Sequence, residues 1–241
     1  MMANSVFVRT YIGDDDSFAV NRKEVFRYAG YGGLTDTKDE QIEKLLNEVI
    51  AECNEDLSYK VCYRQMELRW ENSVPVLPFR TDSKNLAKCL EGSSKVVIFA
   101  ATIGLGIDRK ISRNRLLSPT KALLMQAYGA ERVEKLCDVF CSEIGNEAAR
   151  EGLFCTPRFS PGYGDLPLET QKDVFRLLEC NIKIGISLNR SLLMTPSKSV
   201  TAIFGLREKN RAKSGNKCEL CSKTDCLFRD TQTKEECHES T

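Results

Sequence analysis

The chain has 241 residues, enough to bury a core without disulfides or a metal to staple it. Its 35 Lys and Arg nearly balance 34 Asp and Glu, so no strong field draws it toward nucleic acid or a membrane surface. No apolar run is long enough to span a bilayer, and the N-terminus lacks the basic-then-apolar pattern of a secretory leader, so the expected compartment is the cytoplasm.

The segment through Tyr11 reads as an edge strand or a mobile arm. Asn21–Tyr28 predicts a short helix stopping at Gly30, Gly32 and Gly33. Thr37-x-x-Glu40 is a capping box, and Ile42, Leu45, Leu46, Val49, Ile50 and Cys53 follow on one helical face. Val61 to Trp70 alternates, with Cys62, Met66, Leu68 and Trp70 on one side, as in a half-buried strand. Pro75 and Pro78 limit Val74–Phe79 to an edge or irregular strand. Ser83 can cap a short helix that runs to Leu90 and stops at Gly92, and the apolar run from Lys95 to Ile103 suits a strand covered on both faces.

Ser118-Pro119 predicts an N-cap with proline at the first helical position. The longest helix runs from there to about Arg150, with Leu123, Leu124, Ala127, Val133, Leu136, Cys137, Phe140, Cys141 and Ile144 as its core stripe. Gly129 inside it costs about 1 kcal/mol relative to Ala, so it marks a close approach or a bend. Leu168–Cys180 predicts another helix, and Val200, Ala202, Phe204 and Leu206 alternate as a strand. The irregular order of elements fits an α+β fold, a twisted and mostly antiparallel sheet with flanking helices.

After Leu206 the composition turns polar. We therefore divide the chain into an α+β domain, residues 1–206, and a Cys-rich tail, residues 207–241. Seven of the eleven cysteines (Cys53, Cys62, Cys89, Cys137, Cys141, Cys155 and Cys180) lie among apolar neighbours and read as small buried hydrophobes. The other four sit in the tail as Cys218-x2-Cys221-x4-Cys226 and Cys237-His238. Three thiolates with Cys237 or His238 could hold tetrahedral zinc, or the cysteines an iron–sulfur cluster; the plain alternative is a disordered tail with reduced thiols. The spacing is not the Cys-x3-Cys-x2-Cys of radical S-adenosylmethionine enzymes.

The richest stretch for chemistry is Arg158-Phe159-Ser160-Pro161-Gly162-Tyr163-Gly164-Asp165. Pro161 and Gly162 allow a sharp bend, Arg158 offers a planar fork suited to a carboxylate, and Tyr163 stands beside it outside any regular element. Its residue types fit a small anionic ligand or a plain connector with a surface arginine. The stretch is followed by a helix and then by Gly185-x-x-Leu188-x-x-Ser191, Met194-x-Pro196 and Ser199-Val200.

In this order the chain resembles the activation domain of vitamin B12-dependent methionine synthase, over roughly residues 118–206. The resemblance implies the same α+β fold with a concave ligand face. It implies S-adenosylmethionine binding, with Arg158 on the methionine carboxylate, Pro161 and Gly162 shaping the loop, and Tyr163 facing the corrin. On the long helix, Glu131 or Glu134 could meet the ligand amine, or both could belong to a solvated face. It further implies rescue of cob(II)alamin by one electron from a donor protein and a methyl group from S-adenosylmethionine. Where the family carries a tyrosine pair beyond the last strand, this chain reads Arg207-Glu208-Lys209-Asn210. No Asp-x-His-x-x-Gly cobalamin motif is present, so the expected partner is a separate cobalamin-binding methionine synthase or other corrinoid protein. The alternative expectation is a non-catalytic corrinoid-protein binding module with a metal-binding tail.

Overall fold

A computed structural model describes residues 5–13, 16–31 and 40–208. The elements run β1 (Phe7–Tyr11), α1 (Arg22–Tyr28), α2 (Glu40–Asn54), β2 (Tyr59–Glu67), β3 (Arg69–Glu71), β4 (Val74–Val76), α3 (Lys84–Leu90), β5 (Ser93–Thr102), α4 (Gly106–Leu117) and α5 (Pro119–Ala149). They continue with β6 (Phe154–Cys155), α6 (Gln171–Leu178), α7 (Cys180–Lys183), β7 (Ser187–Leu188), β8 (Met194–Thr195) and β9 (Ser199–Arg207). The capping box at Thr37 and the four tail cysteines lie outside the described residues.

Five strands form an antiparallel sheet in the order β1-β2-β5-β9-β6, with β5 and β9 paired from Thr102–Ser199 to Ser93–Arg207. The unbroken apolar run of β5 has its physical reason here. Val97, Phe99, Ala101 and Ile103 face one core, under α5, while Val96, Ile98 and Ala100 face a second, under α3 and α6. Strand β9 divides in the same way, with Ala202, Phe204 and Leu206 on the α5 side and Ile203 on the other. Strand β2 is therefore not half-buried over its first half: Tyr59 and Val61 fill one core while Cys62 fills the other.

Asn21 caps α1 by accepting from Glu24 N–H, and Ser83 caps α3 by accepting from Leu86 N–H. Ser118 precedes Pro119 as expected, but its hydroxyl makes no cap bond. Leu123 is exposed rather than in the core stripe, because it faces away from the sheet. The Leu168–Cys180 helix is broken: a 3-10 turn opens it, and Glu179 in a left-handed conformation separates α6 from α7. Helix α4 was not legible as a helix. It buries only Ile107 and Ile111. Gly129 admits its neighbours, since a Cβ there would sit 2.8 Å from Ile107 Cδ1 and 3.0 Å from Lys198 Cε.

Glu131 and Arg132 on α5 are almost wholly buried, so Glu131 does not belong to a solvated face. Arg132 donates to Glu131 through Nε (2.5 Å) and Nη2 (2.7 Å), and through Nη1 to the Phe18 carbonyl (2.6 Å); Glu131 also accepts from Asn21 N–H (3.0 Å). The pair clamps residues 18–21, and with them the entry to α1, onto α5. Removing one member of a buried pair strands the other's charge, which typically costs about 3–5 kcal/mol. We predict a loss of that size for Arg132→Ala in urea unfolding; a change under about 1 kcal/mol would show that the clamp carries no weight.

Candidate functional site

Strand β6 leads into the Arg158 loop, which is stitched to β9. Thr156 N–H donates to Gly205 O (2.8 Å), Gly205 N–H returns to Thr156 Oγ1 (2.9 Å), and Phe159 and Ile203 exchange both backbone bonds at 2.8 Å. Phe159 packs into the core under α3 and α6. Arg158 reaches the opposite way, to α5. Its Nη2 lies 3.0 Å from Glu134 Oε2 and 2.8 Å from Asp138 Oδ1.

Both carboxylates use the same nitrogen. Nη1 of Arg158 is buried and has no hydrogen-bond partner among the described residues. Burial works against the guanidinium charge, but Cys137, Glu134 and Asp138 around it work for it, and the net shift is upward. A buried donor without an acceptor costs free energy that an arriving carboxylate or water would recover. The side chain as a whole keeps 15% exposure, while Nη1 itself is shielded from solvent, so a ligand carboxylate has to displace its cover.

Beyond Phe159 the chain makes a tight turn. Tyr163 N–H donates to Ser160 O (3.1 Å), Gly162 N–H to Leu166 O (2.9 Å) and Leu166 N–H to Tyr163 O (3.0 Å). Pro161 is buried beneath it, and Gly162 takes a φ of 89°, which favours glycine. Tyr163 is 65% exposed at the tip. No hydrogen bond or cation–π contact joins it to Arg158; the guanidinium is turned to α5 and the phenol to solvent.

The structure thus brings Arg158 and Glu134 together, with Pro161, Gly162 and Tyr163 on the same loop. Glu134 is an ion-pair partner of Arg158 as it stands, so a ligand amine would have to share it. Asp138 was missed, although Glu134 and Asp138 stand four residues apart on one face of α5 and that spacing was the available signal. Asp165 was also missed. Its carboxylate accepts from Ser83 Oγ, from Lys84 N–H (2.8 Å) and from Asn85 N–H (3.2 Å), tying the loop to the first turn of α3.

Helix α4 holds the turn that leads into β9. Asp108 accepts from Ser197 N–H (2.8 Å) and Ser197 Oγ (2.5 Å), fixing the turn between β8 and β9. Lys198 beside it donates to Gln126 Oε1 (2.6 Å), and burial pulls its pKa down against the opposing charge of Asp108. Two shallow clefts among the described residues lie elsewhere. One is lined by Met66, Arg69, Val76 and Pro78, the other by Val6, Arg64, Arg176 and Lys183.

Of the seven cysteines in the body, four are buried, and Cys89, Cys141 and Cys155 are partly so. Burial pushes the Cys137 thiol well above its usual range, although the Arg158 charge nearby pulls the other way. A raised pKa leaves little thiolate at pH 8. We predict that Cys137 stays unalkylated when folded protein is treated with iodoacetamide at pH 8 and mapped by mass spectrometry. Rapid labelling would mean that the Arg158 side of α5 opens to solvent.

Residues 139–218 match the family model for the vitamin B12 dependent methionine synthase, activation domain. Among solved structures, that of the MetH reactivation domain bound to AdoHcy matches with a TM-score of 0.68 at 15% identity, covering 88% of this chain and 81% of that one. No curated protein matches the chain. Over residues 139–218 the chain resembles that activation domain, and it has the fold of the MetH reactivation domain: a curled antiparallel sheet with flanking helices.

Proposed function

We propose that this chain is an activation module that binds S-adenosylmethionine and supports reductive methylation of cob(II)alamin on a separate methionine synthase or related corrinoid protein. The observation that carries this reading is Arg158, within the family-matched segment, with one nitrogen, Nη1, buried and unpaired. An amino-acid ligand brings both charges that this place can use. Its carboxylate suits Nη1, and its ammonium suits Glu134 and Asp138, which already converge within 3.0 Å of Arg158.

S-adenosylmethionine, when bound, supplies an electrophilic methyl group. The protein's own contribution is positional. Arg158 and the two carboxylates hold the amino-acid end, Pro161 and Gly162 set the bend, and exposed Tyr163 is placed to meet the corrin of a docked partner. The cobalamin would be held outside these 241 residues, whose one histidine is His238. The electron would come from a separate donor protein. No described helix is long and apolar enough to cross a membrane.

A second reading has one observation in its favour. Arg158 is already neutralised by two carboxylates, as suits a structural arginine in a corrinoid-protein binding module without S-adenosylmethionine. Calorimetric titration separates the two. We predict measurable S-adenosylmethionine binding that weakens about 30- to 100-fold in Arg158→Ala, matching the roughly 2–3 kcal/mol of a charge-assisted hydrogen bond. Arg158→Lys should rescue little, since an ammonium lacks the fork. No heat with the unmodified protein would leave the second reading standing.

We assign the cysteine tail a metal site of Cys218, Cys221, Cys226 and Cys237, on the donor set alone. Elemental analysis of full-length protein is expected to find about one equivalent of zinc, or cluster iron after anaerobic purification, lost on Cys218→Ser/Cys221→Ser substitution. Protein free of both metals would exclude the site.

A further inference from the structure

We propose that Asp165 is a positioning residue that fixes where Tyr163 stands; its effect on ligand affinity rests on the S-adenosylmethionine reading above. Tyr163 is mostly exposed, so packing does not decide its place and the backbone must. On one side the turn is held by buried Pro161 and by Phe159 bridged to Ile203. On the other side stands Gly164, at a φ of 53°, pressed so closely on α3 that a Cβ would lie 2.5 Å from Asn85 Nδ2. Asp165 is the next residue, and its carboxylate spans three donors of α3: the Ser83 hydroxyl and the Lys84 and Asn85 amides.

These amides have no intrahelical acceptor, and a negative charge at a helix N-terminus is favoured by the dipole. The same bonds hold the Asp165 carboxyl below the usual carboxylate range, the Ser83 hydroxyl foremost. The clasp therefore serves two ends at once. It completes the cap of α3, and it pins Gly164 and Asp165 against that helix. Without it the glycines on either side of Tyr163 leave the phenol free to swing, while Leu166, which is buried, keeps the strap attached further on.

The test compares Asp165→Ala with Ser83→Ala, both measured well below their melting temperatures. Ser83→Ala removes the Leu86 cap and one bond to Asp165 but leaves the two backbone bonds that pin the loop. We expect Asp165→Ala to raise hydrogen exchange at the Gly162, Tyr163 and Leu166 amides at least tenfold and to weaken S-adenosylmethionine about tenfold. Asp165→Asn, which keeps an acceptor, should recover part of both. Ser83→Ala should lower the melting temperature comparably with little change in either. The proposal is overturned if exchange in the loop is unchanged by Asp165→Ala, or if Ser83→Ala weakens binding as much. If the unmodified protein binds no S-adenosylmethionine, the functional reading fails while the exchange experiment still decides the clasp.

Discussion

A single guanidinium nitrogen holds the working loop to the long helix. Nη2 of Arg158 takes both Glu134 and Asp138, and the neighbouring Phe159 is locked to Ile203 in the sheet. Alternation along an extended backbone turns these two side chains to opposite faces. The arginine is thus fixed under α5 while the phenylalanine is fixed in the second core. The proposed ligand site depends on that split. It leaves the buried Nη1 short of an acceptor, and it launches the Pro161-Gly162-Tyr163 turn outward from a rigid start.

The rigidity comes from α5. This helix covers one face of the sheet, packing Phe140 against Phe99 and Tyr63 at ring separations of 5.0 and 5.1 Å. Its first half carries the buried Glu131–Arg132 pair that holds residues 18–21, and its second half carries Glu134 and Asp138. Further along, Glu143 and Glu147 hold Arg9 of the edge strand at 2.7 and 2.8 Å. One helix therefore organises the N-terminal segment, the sheet edge and the candidate site. Of these, the buried Glu131–Arg132 pair contributes modestly to net stability but strongly penalises its own disruption, so it specifies arrangement more than it adds to folding free energy.

Elements with a strong period were readable from sequence. The apolar run of β5, the Ser83 cap and the stripe of α5 apart from Leu123 appear where the pattern put them, because burial on one or two faces leaves a direct imprint on residue order. Helix α4 left none: its surface is crowded with Arg109, Arg113 and Arg115, and only two isoleucines mark its inner face. The break at Glu179 was equally hidden, since a left-handed glutamate carries no glycine to announce it. In the loop, residue types suggested Arg158, Pro161, Gly162 and Tyr163 as a group. Asp165 was illegible as a member, because its partners lie about 80 residues away in sequence and only the fold brings them near; Asp138 carried a signal in its spacing from Glu134, but its partner Arg158 lies 20 residues on.

The most direct test is a crystal structure of the protein soaked with S-adenosylhomocysteine. The account predicts the ligand carboxylate within about 3 Å of Arg158 Nη1 and its ammonium against Glu134 or Asp138, with Tyr163 flanking the same opening. Ligand bound at another face, with Arg158 still paired to both carboxylates and Nη1 still bare, would contradict it.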